Sequence, residues 1–341
     1  MKTQISKVEL DNITDEINKL QTDTVLIIAD HQVWSHYSKD INLEKIENKK
    51  VIFWKAADGE KVKNITDFQN AVEFFLEKGV HRNAHLIVIG GGATSDFGGF
   101  VAATILRGIE WSIVPTTLLS MVDASIGGKV AINSKSGKNL IGAFHLPSNI
   151  WLCSKFLETL PAVEKNSGMG EVLKYSFLDY TIYDLVIRKS EMSEIIDACA
   201  KFKEKLTQED LKEVGVRKTL NLGHSFGHAV EFIYNIPHGE AVMWGIALIF
   251  KLFGTEKNIN DIAALKKALE IPGENSPWFN KEFPIEKIMM YLSKDKKISA
   301  LSSIDLVLIK DIGNAEVQAI SFDEIQAVLE AKKDELRKFT L

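Results

Sequence analysis

The sequence has little cysteine. Cys153 and Cys199 are its only two, too few for a disulfide framework and not arranged as a CxxC pair. The simple expectation is a cytoplasmic protein with two reduced thiols. Basic charge is not in excess: 41 Lys and Arg stand against 46 Asp and Glu, for a net charge of −5. That weighs against a nucleic-acid binder but leaves room for local basic pockets. Long apolar runs are missing too. The most apolar stretch, AVMWGIALIFKLFG, is interrupted by Lys251, so no membrane span is expected. The segment MKTQISKVELDNITDE is polar and has no apolar core of the signal-peptide kind. Internal repeats and low-complexity tracts are also lacking.

What is present is an ordinary globular composition, 45% hydrophobic and 26% charged over 341 residues. That length exceeds what one core usually fills, so two domains are expected. TVLIIAD (24–30), KVIFWKA (50–56), AHLIVIG (84–90) and IEWSIVP (109–115) read as buried strands. Between them, TDFQNAVEFFLEKG reads as a helix with Thr66 as N-cap and Gly79 as its end. Strands alternating with helices predict a parallel sheet covered on both faces. Beyond Pro161 the pattern turns helical, over 182–206, 222–234, 240–253 and 259–270. A late hairpin follows, SIDLVLIK and AEVQAI around a turn at Asp311–Asn314. The expectation is an α/β domain over 1–161 and a mainly helical domain over 162–341.

Three groups of residues carry chemistry. Gly90, Gly91 and Gly92 follow a strand directly, in GGGATSDFGGF. Glycines there let backbone N–H groups approach a ligand, and a following helix N-terminus favours phosphate. The bland alternative is a tight turn that binds nothing. The second group is VPTTLLSMVDASIGGKVAINSKSGKNLIGAF, read as a polar loop. It carries Thr116, Thr117, Asp123, Lys129, Lys138 and Asn139. Lysines near backbone amides suit a phosphorylated or carboxylated ligand, whereas Lys135 fits a plain surface lysine. The third group comprises Glu171, Lys174, His224, His228 and His238. His224 and His228 are four apart and share a helix face. His238, after Pro237, can fold back towards them. A catalytic zinc takes about three N or O ligands and keeps one open position. Spacing alone allows either three histidines or two histidines with a carboxylate.

Together these strings resemble the dehydroquinate synthase family of sugar-phosphate cyclases. The pieces that carry the resemblance are GEKVK (59–63), GGGATSDFGGFVAATILRG (90–108), PTTLLSMVDASIGGK (115–129), GKNLIGAF (137–144), GMGEVLK (168–174), GVRKTLNLGHSFGHAVE (215–231) and HGEAV (238–242). The resemblance implies a Rossmann-like NAD domain, a helical metal-binding domain and a homodimer whose active site lies in the cleft between domains. It implies Zn2+ or Co2+ on Glu171, His224 and His238, with His228 as the catalytic histidine. Substrate phosphate and carboxylate would meet Lys129, Asn139, Lys174, Arg217, Asn221 and Lys296 or Lys297. Lys203, Asp123 and Glu213 match further polar active-site positions, and Arg107 an arginine that reaches the neighbouring subunit's site. Asp30, Glu60, Lys63, Gly91, Gly92, Asp96, Thr116, Thr117, Asp123 and Lys138 match NAD-contacting positions.

The sequence departs from the family pattern at Gly170, where Ala is usual, at Ser225, where Thr is common, and in a short connection from His228 to His238. The implied activity is a phosphorus–oxygen lyase acting on a sugar-phosphate acid. Rival expectations are a related cyclase, such as a 2-deoxy-scyllo-inosose or 2-epi-5-epi-valiolone synthase, and a glycerol dehydrogenase-like metal enzyme.

Overall fold

The buried runs of the first half form the expected strands. A computed structural model describes residues 3–294, 298–300 and 302–341. The chain divides into two compact units, Met1–Pro161 and Ala162–Leu341.

In the first unit, β1 (Gln4–Lys7) is followed by α1 (Ile13–Asn18), β2 (Thr24–Asp30), α2 (His31–Tyr37), β3 (Lys50–Ala56), α3 (Ile65–Glu77), β4 (His85–Gly90), α4 (Gly92–Thr104) and β5 (Glu110–Pro115). Then come β6 (Lys129–Ser134), β7 (Gly137–Phe144) and β8 (Asn149–Leu152). Six strands make one parallel sheet in the order β1-β8-β5-β4-β2-β3. Every residue of β2 and β4 is buried, as a sheet covered on both faces requires. From β2 the chain moves outward to β3, then returns to place β4 on the other side of β2. That reversal opens a crevice at the carboxyl ends of β2 and β4, where sheets of this kind bind ligands.

Two local expectations of the first unit need correction. Helix α3 is capped by Asn64, whose side chain accepts from Asp67 N at 2.9 Å, and not by Thr66. Asn caps at least as well as Thr, and its amide reaches the third helical N–H. The segment read as a polar loop contains the antiparallel hairpin β6–β7, paired in one register from Lys129↔Phe144 to Ile132↔Ile141 and, after an irregularity, at Ser134↔Gly137. Its glycines and lysines masked the alternation that marks a strand. The edge strand β1 and its neighbour β8, four residues each, were too short to stand out.

The second unit starts with α5 (Ala162–Leu178), α6 (Tyr180–Ile187), α7 (Met192–Glu209), α8 (His224–Tyr234), α9 (His238–Phe253), α10 (Glu256–Ala268) and α11 (Ile285–Leu292). The strands β9 (Ile298–Ala300), β10 (Ser303–Asp311) and β11 (Asn314–Ser321) and the helices α12 (Phe322–Ala331) and α13 (Lys333–Arg337) complete it. The single helix expected over 182–206 is two. Lys189 takes a left-handed φ of 54°. Its N–H meets Val186 O at 3.0 Å, and Ser190 N–H meets Leu185 O at 2.9 Å. This is a helix-ending motif usually built on glycine, here carried by a lysine.

Helix α9 is buried over nearly its whole length and crosses α5 and α8 at glycines. A Cβ on Gly239 would sit 1.8 Å from Ser167 O, one on Gly170 2.0 Å from Gly239 O, and one on Gly245 2.0 Å from Gly223 O. Backbones therefore touch where three helices meet. Among the described residues, no helix is long and apolar enough to cross a membrane.

Candidate metal centre and nucleotide crevice

The helix crossings of the second unit bring three donor groups to one point. Glu171 is fully buried on α5, His224 opens α8 and His238 opens α9. Asn235 in the left-handed region ends α8, and Pro237 starts α9 two residues later. This tight turn carries His238 back to His224. Their donor atoms all lie within 4.8 Å of one another.

Glu171 Oε1 is 3.5 Å from His224 Nε2 and 3.4 Å from His238 Nε2. Those separations are long for hydrogen bonds, whose N–H···O distance is about 2.9 Å. Ligands held at about 2.1 Å around a tetrahedral zinc are separated by about 3.4 Å. The spacing thus fits groups sharing one ion better than groups bonded to each other. The tautomers agree. His224 Nδ1 donates to Leu222 O at 3.1 Å, and His238 Nδ1 donates to Glu231 Oε2 at 2.9 Å. Each ring then turns Nε2 towards Glu171, the nitrogen it would offer to an ion.

The electrostatics differ between the two rings. Burial holds His224 well below the ordinary histidine range, outweighing the attraction of Glu171. Burial also disfavours a charged His238, but Glu171 and Glu231 together outweigh it and push that ring up to about 10. Lys174, one turn after Glu171 and almost fully buried, pairs with the Glu171 carboxylate and lies over the Tyr175 ring. His228 is exposed, with its ring 5.4 Å from that of His224 and 6.0 Å from that of His238. The residues present fit a divalent ion with N and O ligands and one open position.

Other expected residues of the second unit gather on the segment between α7 and α8. Asp210 organises it by accepting from Val214 N at 3.0 Å and Gly215 N at 2.7 Å. Arg217 is buried and donates Nη1 to Leu211 O at 2.7 Å. Asn221 donates to Glu213 Oε1 at 2.7 Å, with Glu213 itself at a left-handed φ of 60°. Lys203 is buried on α7. Lys296 and Lys297 lie outside the described residues.

In the first unit the expected nucleotide contacts cluster at the crevice. Asp30, at the end of β2, is largely committed to structure. Its Oδ1 accepts from Gln32 N and Val33 N at the start of α2, and its Oδ2 from Gly59 N and Thr94 Oγ1. Gly91 and Gly92 have no left-handed backbone. A Cβ on Gly91 would meet Thr117 Cγ2 at 2.8 Å, and one on Gly92 Ala124 Cβ at 3.1 Å. Close packing therefore explains these glycines, and it brings the N-terminus of α4 to the end of β4. Thr116, just beyond β5, is buried, and its hydroxyl has no hydrogen-bond partner among the described residues. Such a hydroxyl fits a crevice that receives a polar ligand. Thr117 caps the turn that contains Asp123, accepting from Ser120 N at 3.1 Å.

Lys63 is buried and holds Asp96 Oδ2 at 2.6 Å and Asn139 Oδ1 at 2.5 Å. Asn139, expected at the substrate, is thus joined to two residues of the nucleotide set. Asn133 completes the knot. It donates to Glu60 Oε1 at 2.7 Å, and its own Oδ1 accepts from Asn139 N at 2.9 Å. Lys129, Lys138 and Arg107 are exposed. Two linking residues had escaped sequence reading. Asn133 was hidden in the misread hairpin, and Glu231, three residues after His228, already had a visible signal in its helical spacing.

A doubly wound sheet with a glycine-lined crevice, joined in one chain to helices bearing a carboxylate–dihistidine centre, defines a class of α/β-plus-helical proteins with a nucleotide-type crevice and a metal-type centre. The chain belongs to the 3-dehydroquinate synthase family. That family's N-terminal part matches residues 53–167 and its C-terminal part residues 168–298. It is 37% identical over 340 residues to the 3-dehydroquinate synthase of Staphylococcus aureus (strain MRSA252), covering 95% of this chain and 93% of the relative. The enzyme of strain MSSA476 is 36% identical over 345 residues, covering 96% and 95%.

Solved structures share the fold. One is a 2-epi-5-epi-valiolone synthase from Streptomyces hygroscopicus subsp. jinggangensis 5008 with NAD+ and Zn2+ bound, at TM-score 0.81, 23% identity and 98% coverage of each chain. Another is a 2-deoxy-scyllo-inosose synthase complexed with carbaglucose-6-phosphate, NAD+ and Co2+, at TM-score 0.78, 22% identity and 96% coverage of each chain. A probable glycerol dehydrogenase from Sinorhizobium meliloti 1021 aligns at TM-score 0.61 and 14% identity, over 99% of this chain and 98% of that one.

Proposed function

We propose that this protein is a 3-dehydroquinate synthase, converting 3-deoxy-D-arabino-heptulosonate 7-phosphate to 3-dehydroquinate and phosphate. The observation that carries the reading is the Glu171, His224 and His238 cluster with tetrahedral-edge spacing, in a chain 37% identical to a synthase over 95% of its length. Glu171, His224 and His238 would hold Zn2+ or Co2+, and the first unit would hold NAD+ through the Asp30, Glu60, Lys63, Gly91, Gly92, Asp96, Thr116, Thr117, Asp123 and Lys138 set. When bound, NAD+ would take up and return one electron pair within a turnover, and the ion would polarise the oxygen on the carbon that is transiently oxidised.

The chain's own residues orient the substrate and move protons. Lys129, Asn139, Lys174, Lys203, Arg217 and Asn221, with Lys296 or Lys297, supply cations and amides for a ligand bearing phosphate and carboxylate. His228, exposed beside the metal ligands, is placed to exchange a proton with the substrate. Glu213 sets the Asn221 amide through their 2.7 Å bond. Elimination of phosphate needs only a nearby base, a role the leaving phosphate can fill itself. Ring opening and aldol closure then need mainly orientation. Arg107, exposed at a left-handed φ of 68°, would serve a neighbouring subunit in a homodimer. The two buried reduced thiols support a cytoplasmic enzyme.

Phosphate release from that substrate with trace NAD+ and Zn2+, before and after chelation, tests the reading. Release far beyond the NAD+ present, lost with chelator and without NADH build-up, is the expected result. Stoichiometric NADH without phosphate would indicate a simple dehydrogenase, and no turnover would point to another sugar phosphate.

A further inference from the structure

We propose that Glu231 is a positioning residue of the metal centre, holding His238 in the tautomer and orientation that aim its Nε2 at the ion. The inference rests on the metal centre proposed above and adds a residue to it. The two histidines are held differently. His224 Nδ1 donates to a neutral carbonyl, Leu222 O, at 3.1 Å, while His238 Nδ1 donates to a carboxylate, Glu231 Oε2, at 2.9 Å. A carboxylate on Nδ1 fixes the proton there, leaves Nε2 as a lone pair and makes the ring a stronger donor. Glu231 lies seven residues after His224, two helical turns along α8, so one helix face carries a ligand and the group that orients another. Its partner ring belongs to the first residue of α9, beyond the turn at Asn235–Pro237. That ring is about one-third exposed, and the Glu231 bond fixes its Nδ1 edge.

The test uses the full chain with Glu231→Ala, Glu231→Gln and, as a control, Glu171→Ala. Zn2+ affinity is read by competition with a chromophoric chelator, ligand geometry by the visible spectrum of Co2+-loaded protein, and the fold by melting of metal-free protein. Glu231→Ala is expected to weaken Zn2+ roughly 10–100-fold with little change in metal-free melting. Glu231→Gln keeps an acceptor without the charge and should recover part of that loss with an altered Co2+ spectrum. If Glu231→Gln and Glu231→Ala bind Zn2+ like the parent while Glu171→Ala does not, the metal centre stands and this role for Glu231 falls. If Glu171→Ala also binds Zn2+ like the parent, the centre itself falls and this inference with it. If Glu231→Gln loses melting temperature in step with affinity, Glu231 only clamps two helices and the proposal is overturned.

Discussion

Replacing Gly239 by Ala tests whether the glycine crossings set the spacing of the metal centre. The new Cβ would stand 1.8 Å from Ser167 O, 2.6 Å from its carbonyl carbon and 2.8 Å from its Cα, all backbone atoms that no rotamer change can move. Relief to even 3.0 Å, the limit that real Cβ contacts respect, requires α5 and α9 to part by about 1.2 Å. Overpacking of this kind costs about 1–3 kcal/mol, which lowers melting by roughly 3–10 °C for a unit of this size. The second consequence is specific. His238 is the adjacent residue, and its Nε2 is 3.4 Å from Glu171 Oε1 across the same crossing. A site of this type tolerates errors of about 0.5 Å, so Zn2+ affinity should fall at least about tenfold beyond any loss in stability. The assay is chelator competition beside thermal melting of metal-free protein. A Gly239→Ala protein that melts and binds Zn2+ as the parent does would refute the argument, because the contact would then yield without moving the ligands.

Three further outcomes are expected. His85 is buried at the start of β4, with Nε2 2.8 Å from Ser112 Oγ; burial first, and Lys49 second, push its pKa down from 6.5 to about 4. The unfolded chain therefore binds the extra proton between those values, so this contribution is complete above pH 6.5 and shrinks as pH falls to about 4. The loss is about 3 kcal/mol, and denaturant titrations should find a flatter acid limb in His85→Gln. Lys63→Met leaves the Asp96 carboxylate and the Asn139 amide without their cation; it should cost about 1–3 kcal/mol and weaken NAD+ in a fluorescence titration, and unchanged melting would contradict the knot described here. Cys153 and Cys199 are buried, with burial raising the Cys153 thiol above its usual range, so a disulfide-exchange reagent should label neither in native protein and both in denaturant.

How much of this was legible depends on how local each signal is. Strands β2, β4 and β5 announced themselves as buried apolar runs, because a parallel sheet buries both faces, and β3, at the sheet edge, did so through its apolar residues although it is only partly buried. The hairpin β6–β7 did not, since its second strand is mostly exposed and mixes Lys138 and Asn139 with Leu140 and Ile141. The break at Lys189 was invisible because the left-handed residue that ends α6 is not glycine. Among site residues, the pair His224 and His228 showed through helical spacing alone. The choice of Glu171 over His228 for the donor set needed either the family resemblance or the three-helix crossing, because Glu171 lies 53 positions before His224 and no periodicity links them.

The glycines show most clearly why residue type and role are separate questions. Gly90, Gly91 and Gly92 were legible as a ligand-binding turn, yet each has a packing reason in Thr94, Thr117 and Ala124 respectively. The two readings do not compete. A phosphate can reach a helix N-terminus only if nothing stands before it, and the strand must pack tightly against α4 and the Thr117 turn to bring that N-terminus to the crevice. The same economy operates at Gly170 and Gly239, where the absence of a Cβ lets α5 and α9 meet backbone to backbone and so brings a buried carboxylate within ligand distance of His238. The resemblance leads one to expect alanine at the position of Gly170. The 2.0 Å gap to Gly239 O makes Gly170→Ala as informative as Gly239→Ala.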